Sequence, residues 1–193
     1  MKLLPSGRPG GRRRKGEPDM LEKESFFELI NRRESCRKYQ DRPVEREKLE
    51  AMVEAARLAP SACNSQPWSF FVVTRPELRA QAAKTMQDLG MNRWTDQSAA
   101  FIVVVEEKAT LSATVGSKMK SQDYAQMDIG IATEHLCLAA TAMGLSTCII
   151  GWFDEKKLRA LLGVPETKRI RLAVSVGYAL EDRVREKKRK TAL

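Results

Sequence analysis

Ala59-Pro60-Ser61-Ala62-Cys63-Asn64-Ser65-Gln66-Pro67-Trp68 joins two apolar stretches of different period, and that change of period decides how the chain is read. Upstream, Leu49, Met52, Val53, Ala56 and Ala59 recur at helical spacing within residues 46–59. Downstream, Ser69-Phe70-Phe71-Val72-Val73-Thr74 is β-branched and aromatic, the composition of a strand. Pro60 disfavours helical backbone at Ala59, so a helix is predicted to end there, a loop stiffened by two prolines to follow, and a strand to leave it. Small and amide side chains on a loop between rigid elements suit a ligand cradle. They equally suit a well-ordered turn whose Asn64 and Gln66 only satisfy nearby backbone.

Working outward, a first helix is predicted over Lys23 to Asn31, with Phe26, Phe27, Leu29 and Ile30 as its apolar face. It runs into Arg32-Arg33-Glu34-Ser35-Cys36-Arg37-Lys38-Tyr39. In extended backbone, Arg33, Ser35 and Arg37 fall on one face and would offer three anion-binding groups together. The alternative is a solvated basic turn with Glu34 as its counter-charge. On the other side of the loop, Pro76 to Gln87 reads as a short amphipathic helix, Ala99 to Glu106 as a buried strand, and Lys108 to Ser121 as a surface loop. Gln122 to Met143 is apolar nearly all round, which predicts a central helix buried in the core or in a subunit interface. Gly144 fits its C-cap, Cys148 to Ile150 a short strand, Asp154 to Leu162 a helix with Asp154 as N-cap, and Ile170 to Tyr178 a last strand. Helices and strands alternate irregularly, which favours an α+β domain.

At 193 residues the chain is read as one folded domain over 20–193 behind a basic, disordered N-terminal extension at 1–19. The net charge of +9 is concentrated at the ends: residues 1–20 carry six Lys/Arg against two acids and residues 181–193 six against three, which leaves +2 for the body. No basic patch with interleaved aromatics marks the body as a nucleic-acid binder. The longest apolar run, Phe101 to Val105, is too short to span a bilayer, and the N-terminal segment lacks the apolar run of a signal peptide. Cys36, Cys63, Cys137 and Cys148 have neither zinc-ligand nor disulfide-framework spacing, so a reducing, cytoplasmic setting without a metal site is expected. His135 is the single histidine and sits among Leu136, Leu138 and Ala139, as a helix-face residue rather than a general base would.

The order of these signals resembles the nitroreductase family of FMN-dependent oxidoreductases. The resemblance rests on Arg33-x-Ser35-x-Arg37, on Pro60-Ser61-x-x-Asn64-x-Gln66-Pro67-Trp68, on Gly144 through Gly151 and on Lys187-x-Arg189, and it spans about residues 23–190. It implies a mixed sheet flanked by helices in an intertwined homodimer, with FMN at the interface. It further implies that Arg33, Ser35, Lys187 and Arg189 hold the flavin phosphate and that Arg37 approaches the pyrimidine edge of the ring. Pro60, Ser61, Ala62 and Asn64 would line the ring and ribityl chain from the other subunit, with Gln66 and Trp68 as supports. The backbone of Ile150 and Gly151 would approach the flavin N5. The implied chemistry is ping-pong hydride transfer from NADH or NADPH to a nitroaromatic, quinone or similar small-molecule acceptor, with no side chain as catalytic acid, base or nucleophile.

Overall fold

The computed structural model describes residues 22–191, so the expected extension at 1–19 lies outside the described residues. The elements run in the order α1 (Lys23–Arg32), α2 (Arg46–Arg57), β1 (Trp68–Val73), α3 (Pro76–Met86), β2 (Ala100–Glu106), α4 (Leu111–Lys120), α5 (Tyr124–Ala142), β3 (Ser146–Ile150), α6 (Glu155–Leu162) and β4 (Arg169–Gly177). The four strands form one sheet in the order β1-β2-β4-β3, each neighbouring pair antiparallel. An isolated parallel bridge between Ser35 and Thr147 sets the Arg33–Tyr39 segment beside β3, and the four-stranded sheet itself is antiparallel throughout.

Period-two alternation along β2 organises the core. Ala100, Ile102 and Val104 enter one apolar cluster with Leu49, Met52 and Ala56 of α2 and Ile129, Ala132, Leu136 and Ala140 of α5. Phe101, Val103 and Val105 enter a second, with Ala82, Ala83 and Met86 of α3 and Leu158 of α6. Both faces of the central strand are therefore covered, which is why it reads as an unbroken apolar run. The result is an α+β fold with helices on both faces of the sheet. It matches the expected class, and most element ends fall within about two residues of their predicted positions.

One expectation is corrected. Residues Lys108 to Ser121 do not form a loop; they contain α4, capped by Thr110 and ended by Ser121 in left-handed backbone at φ 52°. Its large apolar side chains, Leu111, Val115 and Met119, recur at helical spacing but are 80%, 47% and 77% exposed, and little apart from Ala113 is buried beneath them. The helix thus lacks the buried stripe by which a helix is recognised.

The sheet's last strand is tied to α2 by a polar network. Tyr178, just beyond β4, donates its hydroxyl proton to Glu45 at 2.5 Å and accepts from Lys48 Nζ at 2.8 Å, while the Arg42 guanidinium lies 3.9 Å from its ring centre. The Tyr178 bond, then a hydrogen bond from Glu45's own backbone and smaller contributions from Lys48 and Arg42, holds the Glu45 carboxyl down to about 2 from its ordinary 4.5. A carboxyl whose folded pKa is depressed adds stability above its unfolded value and loses it as pH falls through the folded value. Tyr178→Phe should therefore flatten the loss of stability between pH 4.5 and about 2, read as a smaller change in denaturant midpoint across that window.

Candidate functional site

The cationic arm begins where α1 ends. Arg33 caps that helix with its N–H donating to the Leu29 carbonyl, and its ψ of 116° sends the chain into extended backbone. The extension is secured against β3, where Cys36 N–H donates to the Thr147 carbonyl at 2.8 Å. Tyr39 closes the segment: it is buried, its hydroxyl lies 2.8 Å from Ser175 Oγ and donates to the Cys36 carbonyl at 3.0 Å, and burial raises its pKa. Arg33, Ser35 and Arg37 thus occupy alternate positions of an edge segment.

The C-terminal tail returns to this arm. Arg185 donates to Glu34 Oε2 at 3.2 Å and to the Ser35 carbonyl at 2.7 Å, and Lys187 Nζ donates to the Arg33 carbonyl at 2.5 Å. Arg189 is exposed two residues further on. Burial, then the nearby Arg33 charge, lowers the Lys187 pKa. Among the described residues no carboxylate pairs with Lys187 or Arg189, whereas Arg33 meets Glu134 and Arg185 meets Glu34. Four cations drawn together with only two acids, Glu34 and Glu134, paired to them form a donor set that fits a phosphate dianion.

Arg37 is exposed and lines a cavity of about 630 Å³ shared with Ser35, Cys36, Leu145, Tyr178 and Arg185. At the far end of β3 the Ile150 side chain is buried in the second apolar cluster, so only its backbone can face a ligand. Gly151 is exposed, and a Cβ built on it would meet nothing within 4 Å. The arm and the tail therefore form one region beside the start of β3, and Gly151 follows the other end of that strand.

The Pro60–Asn64 loop belongs to another. Cys63, Asn64 and Gln66 all have positive φ, at 52°, 49° and 47°, a left-handed backbone that side chains with a Cβ adopt at a cost of about 1 kcal/mol each. Such strain persists where contacts over-determine it. Gln66 N–H donates to Ser61 Oγ at 2.9 Å, Gln66 Nε2 lies 3.2 Å from Asn64 Oδ1, Trp68 is buried, and Ser65 Oγ accepts from Thr110 N–H ahead of α4. The deepest anchor is Asp128 of α5, only 6% exposed, whose Oδ2 accepts from Ala62 N–H at 3.1 Å.

Reading single motifs missed Asp128 and Glu134, although they are the two acids of an otherwise apolar α5 and an acid on such a helix needs a partner. Six residues apart, they lie about 9 Å apart along the helix and about 120° apart around it. Asp128 holds the loop and Glu134 holds the arm, so within one chain the two do not converge. Replacing Asp128 by Ala should leave the Ala62 amide unpaired and cost about 1–3 kcal/mol, seen as a lower thermal midpoint and faster amide exchange across residues 60–66. His135 lies exposed on the same helix, its Nδ1 2.9 Å from the Ile131 carbonyl, and touches none of these groups.

The sequence profile of the Nitroreductase family matches residues 30–178. A protein of Archaeoglobus fulgidus, provisionally named NADH dehydrogenase/NAD(P)H nitroreductase, is 34% identical over 164 residues, covering 83% of this chain and 88% of its own. Iodotyrosine deiodinase of Haliscomenobacter hydrossis is 29% identical over 189 residues, covering 86% and 85%. Among solved structures, the FMN-dependent nitroreductase of Clostridium difficile R20291 superposes with a TM-score of 0.68 at 26% identity, over 82% of this chain and 90% of that one. With most of the fold and all three central motifs inside the matched span, this chain belongs to the nitroreductase family.

Proposed function

We propose that this protein is an FMN-dependent oxidoreductase that uses NADH or NADPH to reduce small electrophilic acceptors such as nitroaromatics and quinones. The observation that carries the reading is the gathering of Arg33, Ser35 and Lys187 beside β3, the strand that Gly151 follows. When bound, the flavin supplies a two-electron carrier between nicotinamide and acceptor. The chain supplies the rest. Arg33, Ser35, Lys187 and Arg189 bind the phosphate through charge-assisted hydrogen bonds. Arg37 places a fixed positive charge where negative charge develops on reduction, and Gly151 admits close approach of the ring. Pro60, Ser61, Ala62 and Asn64 form the opposite wall.

The loop and the arm lie on different sides of α5, and this favours a homodimer in which each cofactor takes the arm of one protomer and the loop of its partner. The exposed Phe26, Phe27 and Ile30 of α1 and Met127 and Ile131 of α5 offer apolar surface for that contact. Light scattering of the flavin-loaded protein should give a dimer; a flavin-loaded monomer contradicts the shared site. The relative named iodotyrosine deiodinase supports a second reading, reductive dehalogenation on the same scaffold. A steady-state screen of both nicotinamides against quinones, nitroaromatics, enones and iodotyrosine separates them: quinone or nitroaromatic turnover well above the others supports the first, and iodotyrosine turnover alone the second.

A further inference from the structure

The arm assigned above to the flavin phosphate is steered from outside itself. Glu134 Oε1 lies 3.3 Å from Arg33 Nε. Both ends of the Arg33 backbone are already fixed, the N–H by Leu29 and the carbonyl by Lys187, so Glu134 is the contact that acts on the guanidinium. Its side chain is 45% exposed, and an ion pair that open to water adds little to folding. What it does alter is the freedom of a long side chain. A guanidinium met at Nε keeps its two terminal nitrogens for a bidentate bond to phosphate oxygens. Fixing it before the ligand arrives also removes part of the ordering cost of binding. The carboxylate does repel a phosphate, but Lys187 and Arg189 bring two further cations with no acid partner among the described residues. The local balance stays positive.

We propose that Glu134 is a positioning residue for the cofactor phosphate, holding Arg33 by Nε and presenting its outer edge to the anion. The inference rests on the reading of Arg33, Ser35 and Lys187 as an FMN phosphate site. The test compares FMN with riboflavin, which has the same ring and ribityl chain without the phosphate, by fluorescence titration of the apoprotein. Glu134→Ala should weaken FMN about five- to tenfold and riboflavin less than about twofold. Glu134→Gln keeps the length of the side chain but not the charge of the ion pair, and should recover less than half of the loss. Unchanged or tighter FMN binding in Glu134→Ala overturns the proposal, because Glu134 would then be a mere competitor of the phosphate. Equal weakening of both flavins also overturns it, since that reports a general structural defect. A wild-type protein that binds FMN no better than riboflavin removes the phosphate site itself, and that result is seen before any variant is made.

Discussion

Arg33→Ala/Lys187→Ala protein is expected to bind FMN more than about a hundredfold more weakly than wild type while its affinity for riboflavin moves by less than about threefold. Two charge-assisted hydrogen bonds to phosphate are removed, each worth about 1.5–3 kcal/mol, and about 3 kcal/mol in total already exceeds a hundredfold in Kd. The fold should survive. Arg33 contributes its backbone to the end of α1, and alanine retains that backbone. The ion pair with Glu134 is partly exposed, and Lys187 sits where burial and the Arg33 charge already oppose its protonation. Removing two crowded cations from the apoprotein therefore costs little, and a thermal melt of the cofactor-free variant close to that of the cofactor-free wild type checks this. A variant that melts like wild type and keeps the wild-type preference for FMN over riboflavin would place the phosphate elsewhere.

Gly177→Ala should lower stability markedly, because among the described glycines this is the one where an added Cβ meets the shortest contact. A Cβ at this position would stand 2.7 Å from Tyr39 Cδ1 and 3.1 Å from its Cγ, close to the root of a buried ring that cannot swing clear. Moving the ring breaks its contact with Ser175 and loosens the Cys36 carbonyl, and so disturbs the segment that carries Ser35 and Arg37. Overpacking of this kind costs about 1–3 kcal/mol, and the lost hydrogen bond about 1 more. For a chain of this length that corresponds to a fall in Tm of roughly 4–16 °C. Gly151→Ala is the matched control: its Cβ meets nothing within 4 Å, so its Tm should hold, while cofactor binding at the end of β3 is the property expected to suffer. Equal melting temperatures for Gly177→Ala and wild type would mean that Tyr39 is not held as described.

How much of this was legible depended on whether a residue's role was local. The boundaries around Pro60, the cap at Asp154 and the burial of β2 follow from neighbours a few residues away, and the sequence pattern predicts them closely. Helix α4 was missed because its recurring apolar groups point to solvent and its middle is Ser, Thr, Val and Gly. Its formation depends on the cap at Thr110 and on docking beside Ser65, contacts that periodicity does not register. The contributions of Asp128 and Glu134 were illegible for a related reason. Each acts on a residue far away in the chain, Ala62 and Arg33, and only the packing of α5 against both brings them within reach. The tail was partly legible: the Lys187-x-Arg189 pair stood out, but the strap made by Arg185 on Glu34 and Ser35 did not.

The most direct test of the whole account is an anaerobic titration of the FMN-reconstituted protein with NADH and with NADPH, followed by addition of a quinone. The account predicts that FMN co-purifies or binds stoichiometrically, that at least one nicotinamide bleaches its visible band much faster than it bleaches free FMN, and that the quinone restores the band. A protein that takes up no FMN, or one whose bound flavin neither nicotinamide reduces faster than flavin in solution, would contradict it.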